Sequence, residues 1–342
     1  MIDADIIALA RSVRIEDEIA RRGIRLRGKV ESEGPCPVCD GTNRFSINIR
    51  KQVFNCRGFG GGDVIAMVQH IDSCDFTTAV YTLTGTEPGR PSARPDPAKV
   101  AAAQAKAEAQ ARDDIADARQ RMMSALSIWQ QAGPIEETLA ERYLLVHRKL
   151  DVPEGVSGRV LRFHPACPFG TATYPCLIAL VRSIIPNDPN KPETIDRPQG
   201  IVRTALLPDG SALKIDGKTA RKGRGLIGGG AIKLADNAEV ATSLTVGEGL
   251  EIVIAGMMPP MRYRPAWALI DSANIARFPV LAGIETLTIL VDNDPPDRHG
   301  RRAGQAAATE CAQRWAAAGR EVIPIISRRE GDDIADVRVG AA

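Results

Sequence analysis

The segment 244–256 reads LTVGEGLEIVIAG, in which an apolar, strand-like run enters a Gly-Glu-Gly turn and continues as a helix-like run. A second apolar run, LTILVDND at 287–294, ends in Asp-Asn-Asp. Around them strand and helix patterns alternate, with AWALID at 266–271, AGQAAATECAQRWAAAG at 303–319 and EVIPIIS at 321–327. Strands that alternate with helices of this length predict a parallel sheet. The C-terminal third is therefore expected to be an α/β domain.

Carboxylates stand directly after two of the predicted strands, as Glu248, Asp292 and Asp294. Because functional groups gather at the carboxyl ends of parallel strands, we expect these three acids to meet at one edge of the sheet. Converging carboxylates repel one another unless a divalent cation is present, and ligand sets made only of oxygen favour Mg²⁺ or Mn²⁺. This is the equipment of phosphoryl transfer. Each acid alone could also be a cap or turn residue, but the combined pattern favours a site.

The two segments, with the helix and strand that follow them, resemble the Toprim domain shared by DnaG-type primases, topoisomerases and some nucleases. The resemblance implies that Glu248, Asp292 and Asp294 are catalytic and bind metal. A later acidic turn, EGDDIADV at 330–337, resembles the closing Asp motif of the family, which implies two further metal ligands, Asp333 and Asp336.

The resemblance extends upstream to the primase-like proteins of phages, plasmids and integrated elements. Four segments stand in the order expected of them: TLAERYLLVHRKLDVP at 138–153, VLRFHPACPF at 160–169, IVRTALLPDG at 201–210 and GGGAIKLA at 228–235. Together with the N-terminal segment, the resemblance covers nearly the whole chain apart from a linker.

The N-terminal segment carries a cysteine pattern close to that of a zinc ribbon. Two residues separate Cys36 from Cys39, and sixteen residues with two strand-like runs separate Cys39 from Cys56. The segment resembles the primase-type zinc-binding domain, which implies a fourth ligand where Phe59 stands. Three interpretations are open. Zinc could be held by three thiolates and a substitute ligand (His70, Cys74 or water), the finger could be metal-free with Phe59 as an apolar plug, or the cysteines could be unrelated.

Two basic regions are candidates for contact with nucleic-acid or nucleotide phosphates. Residues 197–224 hold seven Lys or Arg against two Asp, and positive charge of this kind supplies sequence-independent affinity for phosphate backbones. The expected contacts are Arg203, Lys214, Lys218, Arg221 and Lys222, with Arg44 and Lys51 in the N-terminal module. A solvated surface is the alternative for each of them. Phe45 and Phe54, between the N-terminal basic residues, could stack on bases or form the hairpin core.

The predicted fold class is α+β and multidomain. Residues 1–86 form a zinc-ribbon-like β-hairpin module with helices, and 87–132 form a Pro-rich, charged linker with an Ala-rich helix. Residues 133–240 form a basic, β-rich region of mixed α/β character, and 241–342 form the Toprim α/β domain with its mainly parallel sheet.

Bulk composition is that of a globular protein, with 44% hydrophobic and 25% charged residues. The formal net charge of +2 is too small to indicate a nucleic-acid partner by itself. No apolar run approaches the roughly 18 residues of a membrane span, and the mixed charges of the N-terminus do not fit a signal peptide. Seven cysteines, an odd number, argue against a disulfide framework and favour a reducing cytoplasm.

The resemblance and the residues together predict a DNA primase of a mobile element. It is expected to bind a single-stranded DNA template and to join ribonucleoside triphosphates with Mg²⁺ (or Mn²⁺), with Zn²⁺ in the N-terminal module and a replicative helicase on a separate chain. A Toprim nuclease is the alternative enzyme, and a non-catalytic single-stranded-DNA-binding accessory protein is the alternative of another class.

Overall fold

The computed structural model describes residues 2, 4–28, 30–85, 97–184, 196–296, 300–327 and 330, with only the backbone for 97–104, 106 and 107. The chain divides into two compact units, Met1–Ile115 and Ala116–Ala342. A long helix, Pro97–Gln131, contains the boundary between them.

The first unit is a small antiparallel sheet with two pairs of helices. Helices α1 (Ala4–Ser12) and α2 (Ile15–Arg21) precede five strands, which are β1 (Arg27–Gly28), β2 (Glu31–Cys36), β3 (Asp40–Asn48), β4 (Val53–Cys56) and β5 (Gly60–Gly62). The strands pair antiparallel in chain order. Helices α3 (Val64–Asp72) and α4 (Phe76–Thr84) follow. The N-terminus of α3 is set by Asp63, whose carboxylate accepts hydrogen bonds from the N–H groups of Ile65 and Ala66.

Strand alternation in this unit directs one side of the sheet into a core. The side chains of Phe45 and Phe54 are 0% and 2% exposed, and they pack with apolar residues of the surrounding helices. Of the two interpretations of these phenylalanines, the hairpin core is therefore the correct one, and base stacking is wrong for both.

The second unit begins, after the helix Pro97–Gln131 (α5), with α6 (Leu139–Arg142) and a π-helical turn, Tyr143–His147. Helix α6 begins after Thr138, whose side-chain oxygen accepts a hydrogen bond from the Ala140 N–H. The strands that follow are β6 (Leu161–Phe169), β7 (Ala172–Ser183), β8 (Pro198–Ala205), β9 (Lys214–Ile215), β10 (Lys218–Thr219), β11 (Arg221–Gly225) and β12 (Gly230–Lys233).

The C-terminal part alternates strands and helices as predicted. The elements are β13 (Ser243–Gly247), α7 (Leu250–Met257), β14 (Ala266–Ala268), α8 (Ser272–Ala276), β15 (Thr286–Val291), α9 (Ala303–Ala317) and β16 (Glu321–Ile326). Strands β14, β13, β15 and β16 are parallel neighbours, and β12 joins β14 to the antiparallel strands β7, β8 and β11 in one sheet. Helix α7 packs on one face of the parallel strands and α9 on the other.

The predicted fold class is confirmed: the chain is α+β, with an N-terminal hairpin module and a mainly parallel C-terminal sheet. Because both faces of the parallel strands are covered by helices, their apolar runs are nearly continuous, as in LTILV. Among the described helices, none has the length and hydropathy needed to cross a membrane.

Candidate functional site

Strand register brings the predicted acidic residues to one edge of the parallel sheet. Gly247, the last residue of β13, pairs with Leu290 of β15 on one side and with Ala268 of β14 on the other. Glu248 therefore leaves the sheet at the same level as the ends of both neighbouring strands. Asp292 and Asp294 follow β15 directly.

The environment of Glu248 is buried and negatively charged. Burial raises the pKa of Glu248, and the negative charges of Asp294 and Asp271 raise it further, while a backbone hydrogen bond from Ser272 opposes the shift. Within the described residues, the oxygens of Glu248, Asp292 and Asp294 do not all lie within 4.8 Å of one another.

A hydrogen-bonded clamp holds the loop that carries the two aspartates. The Asn293 amide donates to the Ser327 carbonyl (3.0 Å), and its oxygen accepts from Arg302 (3.2 Å) and from Gln305 (3.1 Å). Arg302 also donates to the carbonyl oxygen of Asp294 (2.7 Å). These bonds use both the oxygen and the nitrogen of the Asn293 side chain. They tie the loop between the two aspartates to α9 and to the end of β16.

Helix α9 also approaches the acid of the neighbouring strand. A Cβ built on Gly304, in the first turn of α9, would lie 3.7 Å from Oε2 of Glu248. This is an ordinary van der Waals distance, so the first turn of α9 lies against the Glu248 carboxylate.

Asp271 is a residue at this edge that the sequence analysis missed. It follows β14 and its carboxylate accepts a hydrogen bond from the Asn274 N–H (2.7 Å), which caps α8. Its position could have been predicted from the sequence, because Asp271 ends AWALID, a predicted parallel strand. Its capping bond gives it a structural role, and its charge adds to the negative potential at Glu248.

The donor chemistry at this edge suits a divalent metal. Glu248, Asp292 and Asp294 offer only carboxylate oxygens, and burial together with the charges of Asp294 and Asp271 raises the pKa of Glu248. Hard cations such as Mg²⁺ prefer such ligands. The two other predicted ligands, Asp333 and Asp336, lie outside the described residues.

The predicted zinc thiolates lie together, and a histidine completes the group. The ligand atoms of Cys36, Cys39, Cys56 and His70 all lie within 4.8 Å of one another. The Cys36 Sγ is 3.2 Å from the His70 Nε2 and 3.6 Å from the Cys56 Sγ, and the Cys39 Sγ is 3.9 Å from the same nitrogen. Three cysteines and one histidine form a set that could bind zinc. Of the substitute ligands considered, His70 on α3 is the one that the fold brings to the thiolates.

The chemistry of these four groups fits a cation. Burial raises the pKa of Cys39 to about 11, assisted by the neighbouring Cys56 and Cys36 sulfurs. Burial would also raise the pKa of Cys36, but the backbone N–H groups of Cys39 and Val38 outweigh it and lower that pKa. Burial lowers the pKa of His70, which favours the neutral imidazole that coordinates metal.

Phe59 does not plug the finger. Its side chain is 57% exposed, and its ring stacks on the imidazole of His70 with the centroids 4.2 Å apart. The plug interpretation is therefore wrong: the space of the expected fourth ligand is taken by a histidine from another element, with Phe59 lying over that histidine.

Two of the predicted phosphate contacts are engaged within the protein. Arg203 is 4% exposed, and its guanidinium donates to the carbonyl oxygens of Pro168 (2.5 Å), Lys222 and Gly223 (both 3.4 Å). The Arg221 guanidinium forms an ion pair with Glu251. Arg203 is thus a bracing residue between β8, β11 and the end of β6, whereas 41% of the Arg221 side chain remains exposed.

The remaining predicted contacts are more accessible. Lys214, Lys218 and Lys222 are exposed, and the Lys222 ammonium lies 4.9 Å from the ring centroid of Phe169. Lys51 is exposed and lines a groove of about 570 Å³ on β2–β4, together with Arg27. Arg44 is half-buried and donates to the Cys39 carbonyl (3.4 Å). Strands β9 and β10, which carry Lys214 and Lys218, pair antiparallel as a hairpin.

Comparison with protein families identifies the C-terminal domain. Residues 243–341 match the Toprim domain, and residues 119–234 match a domain of unknown function (DUF7146). The Toprim resemblance predicted from the Gly-Glu-Gly turn and the Asp-Asn-Asp segment is therefore confirmed. No curated protein sequence shows significant similarity to the chain.

Among solved structures the similar ones are primases. The zinc-binding and RNA polymerase domains of the Aquifex aeolicus primase are 15% identical, with 99% of this chain and 83% of that chain covered and a TM-score of 0.39. The primase fragment of the bacteriophage T7 primase-helicase is 12% identical, with 90% and 94% covered and a TM-score of 0.38. The E. coli primase catalytic core is 17% identical, with 65% and 75% covered and a TM-score of 0.38.

Proposed function

We propose that the chain is a DNA primase of a mobile element, which binds single-stranded DNA and joins ribonucleoside triphosphates into short RNA primers. The observation that carries this proposal is Glu248 directly after β13, beside the charge of Asp294 after the parallel strand β15, inside a Toprim domain. Carboxylates in this arrangement are suited to metal-assisted nucleotidyl transfer.

The acidic residues have two kinds of role in the proposed reaction. Asp292 and Asp294, with Asp333 and Asp336, hold Mg²⁺ (or Mn²⁺), which when bound neutralises the charge that develops on the reacting phosphates. Glu248 is either a further metal ligand or the general acid/base.

Template binding is assigned to both basic regions. In the N-terminal module, Cys36, Cys39, Cys56 and His70 hold Zn²⁺, and the exposed ring of Phe59 contacts bases while the exposed cations Lys51 and Arg57 contact phosphates. Exposed aromatic rings and cationic side chains are the combination that binds single strands. In the β-rich region, the exposed lysines Lys214, Lys218 and Lys222 contact phosphates.

The functional parts follow the predicted division of the chain. We assign template recognition to 1–86, a linker to 87–132, the basic β-rich region to 133–240 and catalysis to 241–342. The proposed setting is the cytoplasm, with a replicative helicase on a separate chain as the further partner.

One assay separates the proposal from its alternatives. The protein is incubated with circular single-stranded DNA, labelled ribonucleoside triphosphates and Mg²⁺ or Mn²⁺. Short labelled RNA supports the primase, fragmented DNA supports a Toprim nuclease, and a shifted DNA band without either product supports an accessory binding protein.

The matched variants are Asp292→Asn, which removes a proposed metal ligand, and Asp236→Asn, which removes one partner of the surface ion pair with Arg159. We expect Asp292→Asn to lower primer synthesis by about hundredfold or more and Asp236→Asn to leave it unchanged. Primer synthesis at the wild-type rate by Asp292→Asn would exclude the proposed mechanism.

A further inference from the structure

A buried polar network joins the basic strand β11 to the helix that follows the catalytic turn. Oε1 of Glu251, in the first turn of α7, accepts a hydrogen bond from the Tyr143 hydroxyl (2.8 Å). The same oxygen pairs with Nη2 of Arg221, at the start of β11. The three residues come from distant parts of the sequence, since Tyr143 is 108 residues from Glu251 and Arg221 is 30.

The network is asymmetric in its exposure to solvent. The Glu251 side chain is 4% exposed and Tyr143 is 2% exposed, whereas 41% of the Arg221 side chain is exposed. Burial would raise the pKa of Glu251, but the positive charge of Arg221 and the Tyr143 hydroxyl outweigh it and hold that pKa below its usual value. Glu251 is therefore a charged, fixed anchor for an arginine that still reaches solvent.

The network adjoins the Gly-Glu-Gly turn itself. A Cβ built on Gly249 would lie 3.9 Å from Oε2 of Glu251, so this carboxylate lies next to the residue that follows Glu248. A small cavity of about 30 Å³ is lined by Arg221, Gly249, Glu251 and Thr204, among others. The exposed part of Arg221 is thus held beside the turn that carries the proposed catalytic glutamate.

We propose that Arg221 binds the phosphates of the nucleoside triphosphate substrate, and that Glu251 and Tyr143 are positioning residues that hold its guanidinium close to the Gly-Glu-Gly turn. This assignment rests on the proposed function. An arginine has five N–H donors in a rigid fork, so one donor can bind Glu251 while others remain for phosphate oxygens. Anchoring the side chain in advance lowers the conformational entropy lost when the ligand binds.

A second buried ion pair in the same sheet shows what a purely structural pair looks like here. Lys233 of β12 is 3% exposed; its ammonium contacts Asp196 and Asn237 and lies over the Trp267 ring. This cation is enclosed by the protein, whereas Arg221 is not. Lys233→Met therefore serves as a control that removes a buried ion pair without touching the Gly-Glu-Gly turn.

The test uses the full chain and two readouts, which are the binding of a fluorescent ribonucleoside triphosphate with Mg²⁺ and the steady-state kinetics of primer synthesis. We expect Arg221→Ala to weaken nucleotide binding and raise KM by about tenfold or more, the cost of a lost charged hydrogen bond, with kcat less affected. Glu251→Gln and Tyr143→Phe should raise KM by smaller factors. The double variant Glu251→Gln/Arg221→Ala should be no worse than Arg221→Ala, because both changes act on the same contact.

The outcomes separate this inference from the proposed function. Unchanged nucleotide affinity in Arg221→Ala, multiplying effects in the double variant, or an equal KM increase in Lys233→Met would overturn the role of the network. If the wild-type protein binds nucleotide through Arg221 but makes no primer, the nucleotide-binding role of the network stands and the proposed primase function is wrong. A wild-type protein that binds no nucleotide would overturn the network assignment, whichever result the primer assay gives.

Discussion

The ring of Phe59 stacks on the imidazole of His70, with the centroids 4.2 Å apart and an angle of 22° between the planes. His70 is the nitrogen member of the Cys36, Cys39, Cys56 and His70 cluster, and Phe59 stands where the sequence pattern expects a ligand. The fourth candidate ligand therefore lies on α3 and not in the glycine loop, and the Phe59 ring of that loop covers it.

His70 should be required for zinc binding. Purified wild-type protein is expected to contain about one zinc per chain, and His70→Ala to lose most of it, because three thiolates alone leave one tetrahedral position unfilled. Cys74→Ala is the matched control, since Cys74 follows the same helix but its sulfur contacts the Val68 carbonyl (3.9 Å) instead of the cluster. Elemental analysis after purification in metal-sparing buffer measures both. Equal zinc in wild type and His70→Ala would contradict the assignment.

Phe59 should contribute to single-strand binding more than to zinc retention. Its exposed ring can stack on a base, and such stacking contributes about 1–3 kcal/mol by alanine substitution. We therefore expect Phe59→Ala to weaken single-stranded DNA binding by about fivefold or more, while Phe59→Trp retains it. Fluorescence anisotropy with a labelled oligonucleotide measures the affinity, and zinc content is determined on the same samples. Loss of zinc in step with loss of affinity would instead assign Phe59 to the metal site.

Arg203 and Lys218 should respond differently although both lie in the basic region. Arg203→Ala removes the donor for three backbone carbonyls, and we expect it to lower the free energy of unfolding by about 2–4 kcal/mol. Lys218→Ala should leave stability unchanged but reduce the dependence of DNA affinity on salt, by about 0.7 in the slope of log K against log salt for one phosphate contact. A salt titration of DNA binding by the wild type and both variants tests this prediction. A reduced slope of log K against log salt in folded Arg203→Ala would show that Arg203 contacts phosphate after all.

The Asn293 clamp should matter for activity without touching substrate. Asn293→Ala removes three hydrogen bonds that hold the loop between Asp292 and Asp294, so the carboxylates lose their fixed positions. We expect primer synthesis to fall by about tenfold or more while single-stranded DNA affinity stays at the wild-type value. Asn237→Ala, which removes a partner of Lys233 away from the acids, is the control. Wild-type activity in Asn293→Ala would show that the acids need no such support.

Stability at acid pH should depend on Glu251. Its pKa lies below the usual value of 4.5 in the folded protein, so its stabilising contribution is complete above about pH 4.5 and is lost as the pH falls through the folded value. Below pH 4.5 the wild type should therefore lose stability more steeply than Glu251→Gln, with Tyr143→Phe between them. Urea unfolding followed by tryptophan fluorescence suits this test, because Trp129, Trp267 and Trp315 all lie in the second unit. Parallel pH profiles for wild type and Glu251→Gln would exclude the ionised network.

The sequence by itself determined the features that depend on neighbouring residues. Apolar runs that end in Gly-Glu-Gly and Asp-Asn-Asp predicted parallel strands with acids at their ends, because strand length, turn residues and hydrophobic period are local properties. The two cysteines on one knuckle and the third across a hairpin were predictable for the same reason.

The tertiary structure alone decided which distant groups meet. His70 reaches Cys36 only because α3 packs on the hairpin sheet, 34 residues further along the chain. Arg203 is buried because β11 and the end of β6 surround it, and nothing in the composition of a basic segment separates it from the exposed lysines nearby. The pairing of Tyr143, Arg221 and Glu251 likewise depends on how the antiparallel strands join the parallel ones. Burial and packing between distant segments decide these roles, and the residue pattern of a single segment predicts neither.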